Sequence, residues 1–105
     1  MAQFDIHRNT GQQRDSIPFV VTVQSSLYDD YRRRVVVPLA RKALLGSITD
    51  PGFNPTFSVD GIEVVLHPLE IVSIPASQLG ARVGSLREAG DQIIHAIDQL
   101  LSRVA

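Results

Sequence analysis

Cysteine is absent from this 105-residue chain. It can therefore form no disulfide or thiolate metal site, and it offers no thiol nucleophile. Tryptophan is missing too, and aromatic residues make up only 6% of the sequence, so any core must be mainly aliphatic. No large charge of one sign is present. The formal net charge is −1, which argues against broad electrostatic attachment to nucleic acid. Lysine is nearly absent: the basic side chains are nine arginines and Lys42, a choice suited to bidentate contacts with specific partners. Apolar runs such as Val35-Val36-Val37 are far shorter than the roughly 20 residues that cross a bilayer. Met1-Ala2-Gln3-Phe4-Asp5 lacks the basic-then-apolar order of a secretory leader. A cytoplasmic protein is expected, with no membrane contact.

What remains is 44% hydrophobic, enough for one core in one domain over residues 1–105. A domain this small buries proportionally less surface than a larger one, and dimerisation is the common remedy where no disulfide is possible. The first two-thirds of the chain, residues 3–75, reads as strands. Phe4 and Ile6 alternate with Gln3, Asp5 and His7, as in a half-buried opening strand. Phe19-Val20-Val21-Thr22-Val23 suits a central strand. Residues 25–31 break it, and Arg34-Val35-Val36-Val37 forms the next, stopped or placed at an edge by Pro38. Residues 39–45 fit a strand or a helical turn equally, and residues 46–56 read as a surface loop. Phe57-Ser58-Val59, Asp60-Gly61 and Ile62 to Leu66 predict a hairpin, because both central residues of a type I′ turn need positive φ. Ile71 to Ile74 supplies a last strand. From Ser85 the period changes to 3.6: Ser85-Leu86-Arg87-Glu88 reads as a capping box opening a helix over residues 86–103. Its broad apolar face holds Leu86, Ala89, Ile93, Ile94, Ala96, Ile97, Leu100, Leu101 and Val104.

Residues that could carry chemistry are scattered. His7, His67 and His95 show no metal-ligand spacing, so surface or hydrogen-bonded roles are expected. Asp29 and Asp30 are adjacent and point apart in an extended chain, and no phosphate loop or nucleophile elbow occurs. No cofactor and no catalysis are expected. Arg32-Arg33-Arg34 reads either as a solvated lead into a strand or as forks that hold an acidic segment of a partner.

The order of the segments resembles the CcdB family of bacterial toxin–antitoxin modules. The resemblance is carried by Gln3-Phe4, Phe19 to Ser25, Arg33-Arg34-Val35-Val36-Val37-Pro38-Leu39-Ala40, Leu44-Leu45, Ser73-Ile74-Pro75, Leu79-Gly80 and Ala96-Ile97. It spans nearly the whole chain, thinnest over residues 8–17 and 46–55. It implies a mainly β, SH3-like antiparallel barrel of the CcdB/MazF type with a C-terminal helix. It also implies a homodimer that poisons DNA gyrase by binding the gyrase A protein, and a CcdA-type antitoxin that neutralises it. The toxin–antitoxin complex would repress its own operon, so DNA is met only indirectly. By position, the gyrase contacts fall on Leu27, Tyr28, Asp98, Leu101, Ser102, Arg103 and Val104, while the charge run Arg32, Arg33 and Arg34 is read as the antitoxin contact. The family's closing Trp-Gly-Ile is replaced here by Ser102-Arg103-Val104, and a helix-face Asn by Asp98. Two alternatives follow: a homologue that binds antitoxin without inhibiting gyrase, and a MazF-like endoribonuclease.

Overall fold

The structure, a computed structural model, describes residues 2–46 and 50–102. Its strands are β1 (Asp5–Arg8), β2 (Phe19–Thr22), β3 (Arg33–Arg41), β4 (Thr56–Val59), β5 (Ile62–Leu66), β6 (Val72–Pro75) and β7 (Arg82–Ser85), followed by helix α1 (Gly90–Leu101). All ladders are antiparallel, in the order β4-β5-β3-β2-β1-β7, with β6 added on β3. The result is a curved half-barrel capped by one helix. Among the described residues no helix is long and apolar enough to cross a membrane.

The long strand β3 organises the sheet. One edge pairs with β2 from Val36 to Leu39, while the other pairs with β6 at Arg33–Val36 and with β5 at Leu39–Arg41. Pro38 therefore does not end the strand. Its carbonyl accepts from the His67 amide at 3.1 Å, so its missing N–H faces the gap between β6 and β5, where no ladder needs a donor. Residues 39–41 continue the strand, and a 3₁₀ turn follows at Lys42–Leu44. The expected hairpin forms β4 and β5, with Asp60 at φ 52° and Gly61 at φ 76°.

Side chains of Phe4, Ile6, Phe19, Val21, Val23, Val37, Leu39, Val59, Val64, Leu66, Ile93 and Ala96 form one core. Asp5 and His7, expected on a wet face, are buried as well. β1 lies between β2 and β7, and Asp5 and His7 on its second face each meet polar groups there, although His7 Nε2 has no hydrogen-bond partner among the described residues. Asp5 accepts from Arg82 at 3.1 Å and from the Ala2 amide at 3.0 Å. His7 Nδ1 donates to the Gly80 carbonyl at 2.9 Å.

The close of the chain differs from the sequence expectation. Strand β7 lies beyond residue 75, and the α-helix begins at Gly90 rather than near residue 86. Ser85 ends β7; its hydroxyl accepts from the Arg87 amide at 3.1 Å, and a 3₁₀ turn at Arg87–Ala89 leads into α1. There is no capping box. Gly90 starts the helix because a Cβ there would stand 2.7 Å from Phe4 Cε2, so glycine lets α1 rest on that ring. The Phe4 backbone, at φ 69°, turns the ring under the helix.

Gly80 is the other glycine that a close approach requires. A Cβ there would lie 2.5 Å from the Arg8 carbonyl oxygen and 3.0 Å from the Thr10 methyl, and the Arg8 backbone has little room to yield. Gly80→Ala is expected to cost about 1–3 kcal/mol by overpacking the β1–β7 seam. A urea midpoint equal to that of the unsubstituted protein would show that the seam relaxes freely.

Candidate functional site: an exposed loop and the helix end

Residues 25–32 leave β2 and return to β3 around a 3₁₀ turn at Ser26–Tyr28. The turn forms because the Ser25 hydroxyl accepts from the Leu27 amide at 3.2 Å, a local bond that serine favours. Gln3 pins the loop to the amino-terminal segment. Its amide donates to the Ser26 hydroxyl at 3.4 Å, and its side chain donates to the Val23 carbonyl at 3.0 Å. Leu27 is 85% exposed, and Tyr28 and Tyr31 meet edge to face with ring centroids 5.6 Å apart. Exposed large side chains on a tied loop suit protein contact better than solvent.

Helix α1 buries Gly90, Ile93 and Ala96, a narrower face than the sequence pattern predicts. Ile94, Asp98 and Leu101 lie on its exposed side, Leu101 at 71%. They recur at i, i+4 and i+7, one stripe of an α-helix. No hydrogen bond, ion pair or ring contact among the described residues joins Leu27 or Tyr28 to Asp98 or Leu101. The candidate residues thus occupy two places, a loop and a helix stripe. Ser102 follows the helix, its amide donating to the Gln99 carbonyl at 3.4 Å. Arg103 and Val104 lie outside the described residues.

The arginine run splits three ways. Arg32 is exposed. Arg33 reaches across to β6, donating to the Ser73 hydroxyl at 2.8 Å and carbonyl at 2.6 Å. Arg34 is buried, its guanidinium donating to the carbonyls of Asp29, Tyr31 and Arg33. Only Arg32 and Arg33 are placed to meet a partner. The spacing of β3 carries this signal, since Arg34 shares a face with Val36 and Ala40, also buried. Tyr31 is a further exposed residue that the sequence alone does not single out. Its spacing of three from Tyr28 within a short turn is the one clue to it.

The face of the sheet turned away from α1 carries two shallow grooves of about 300 and 280 Å³ around Pro38. Leu44, Leu45 and Val72 leave apolar surface exposed there. The histidines are dispersed: His95 lies beside Gln99 at 3.2 Å, and His67 borders one groove. Among the described residues no group of three His, Asp or Glu side chains is gathered to hold a metal.

This fold is shared with solved toxin structures. The Mycobacterium tuberculosis toxin MazF-mt6 superposes with a TM-score of 0.71 at 16% identity, covering 92% of this chain and 95% of that one. An endoribonuclease solved in complex with its cognate antitoxin, from a mycobacterial species, gives a TM-score of 0.74 at 14% identity, covering 100% and 98%. Among proteins of curated function, none matches this sequence. The family model described as CcdB protein matches residues 3–102, from the Gln3 that pins the loop to the Ser102 that ends the helix: the chain belongs to the CcdB family.

Proposed function

We propose that this protein is the toxin of a type II toxin–antitoxin module, which poisons DNA gyrase by binding the gyrase A protein and is neutralised by a CcdA-type antitoxin. The family match over residues 3–102 carries this reading. Leu27 and Tyr28 serve as apolar anchors, Leu101 extends the contact, and Asp98 pairs with a cation of gyrase. Ser102, Arg103 and Val104 add to the gyrase contact. Arg32 and Arg33 meet the acidic tail of the antitoxin, whereas Arg34 supports the loop from inside. The toxin acts in the cytoplasm as a homodimer, and with its antitoxin represses its own operon. A partner of the antitoxin class is in keeping with the fold neighbour solved with its own antitoxin.

Expression in a gyrase-sensitive host is expected to arrest growth and to accumulate gyrase–DNA cleavage complexes. Normal growth despite good expression would count against toxicity. A second reading is favoured by the sequence Ser102-Arg103-Val104, which lacks the aromatic anchor of the family: a homologue that keeps its antitoxin and no longer inhibits gyrase. Titration with a fragment of the gyrase A protein separates the two, since only the first yields a complex. The endoribonuclease alternative rests on fold likeness alone. Cleavage of long single-stranded RNA by the purified protein would establish it in place of both.

A further inference from the structure

The loop of residues 25–32 displays Leu27, Tyr28 and Tyr31, yet its backbone is held from beneath by two side chains that flank it. Gln24 Nε2 donates to the Tyr28 carbonyl at 3.0 Å and to the Arg33 carbonyl at 3.3 Å. Its Oε1 accepts from the Val35 amide at 3.0 Å. Arg34 donates to the carbonyls of Asp29, Tyr31 and Arg33, the last at 2.9 Å. Together the two side chains hold the loop from its 3₁₀ turn to the start of β3. The carbonyls of Asp29 and Tyr31 belong to no strand ladder or α-helix, so the guanidinium supplies donors that regular structure does not.

Arg34 is a costly choice for this task. It is only 5% exposed, and neither ion pair among the described residues involves it. Its Nε is buried with no hydrogen-bond partner. A buried guanidinium without a counter-charge is unfavourable. The arrangement is explained by what the planar fork can do: its fixed N–H directions reach carbonyls at different angles, which a compact ammonium cannot. Asp29 and Asp30 are close in sequence, yet the guanidinium takes main-chain oxygens instead. The geometry that it fixes is the path of the loop.

We propose that Arg34 is a positioning residue, whose buried guanidinium, helped by Gln24, locks residues 25–32 so that Leu27, Tyr28 and Tyr31 form a preorganised docking face for the target protein. A face ordered before contact loses less conformational freedom on binding, so affinity gains without any added contact. The target itself rests on the reading given under Proposed function; the locking of the loop does not.

Tyr28 and Tyr31 are the only tyrosines, and there is no tryptophan. Near-ultraviolet tyrosine circular dichroism and tyrosine fluorescence anisotropy therefore report on this loop alone. Arg34→Lys keeps the charge and loses the fork. Gln24→Glu keeps the acceptor for the Val35 amide and loses the donor to Tyr28, at a half-buried site that decides the matter if Arg34→Lys does not fold. Both folded variants are expected to lose most of the tyrosine dichroism and to show lower anisotropy. Their affinity for a fragment of the gyrase A protein is expected to fall about tenfold. Arg33→Lys, altered at a guanidinium bound to Ser73, leaves the tyrosine signals intact. Unchanged tyrosine signals in folded Arg34→Lys and Gln24→Glu overturn the proposal, as does a lost signal with undiminished affinity. If the unsubstituted protein binds no gyrase fragment, the choice of target fails, and the tyrosine signals still decide whether Arg34 locks the loop.

Discussion

Phe19→Ala is expected to remove about 3–5 kcal/mol of stability, the usual cost of emptying a fully buried aromatic site. Phe19 is 1% exposed at the start of β2 and packs into the core shared by both ends of the chain. Domains of this size are stable by only about 5–15 kcal/mol, so the variant should unfold at a much lower urea concentration and lose a visible fraction of folded protein at growth temperature. A loss below about 1 kcal/mol would mean that β2 does not sit where the register with β1 and β3 puts it. Leu27→Ala is the matching control: at 85% exposure, it should move the same midpoint by no more than about 0.5 kcal/mol.

The same leucine is expected to behave in the opposite way in binding. The double variant Leu27→Ala, Tyr28→Ala removes both apolar anchors from the locked loop. It should weaken binding to a fragment of the gyrase A protein by at least about 30-fold, the equivalent of roughly 2 kcal/mol for a hot spot. Calorimetric titration of the folded variant beside the unsubstituted protein measures this. Equal affinities would remove the loop from the interface and leave the helix stripe of Ile94, Asp98 and Leu101 to carry it. The two experiments separate residues that hold the fold from residues that the fold presents.

Much of the architecture is legible in the sequence because local signals agree with the final contacts. Asp60-Gly61 supplies the positive φ angles of the hairpin, and the branched residues of β2 and β3 fall on a sheet buried on both faces. Where sequence and structure part, the causes are physical. Pro38 resembles a stop because the gap between β6 and β5, which makes its missing N–H harmless, is a tertiary feature. Strand β7 is hard to foresee because Arg82-Val83-Gly84-Ser85 carries one apolar residue, and its pairing depends on β1. Ser85 resembles a helix cap, but the close fit of Gly90 on Phe4 sets where α1 starts. At the candidate site, the family resemblance points to Leu27 and Tyr28, and residue identity points to the arginines. It does not reveal that Arg34 turns inward while Arg33 crosses to Ser73, since that depends on which edge of β3 faces which neighbour.

The position of β3 has a consequence for how the molecule comes apart. Hairpin β4–β5 has no ladder to β2, β1 or β7 except through β3, and Val59, Val64 and Leu66 of that hairpin share one core with Phe4, Ile6 and Phe19. Neither side of the spine encloses an interior of its own. Once the spine slips, both flanks are exposed together, so partial disassembly offers no stable resting point and unfolding proceeds as a single event.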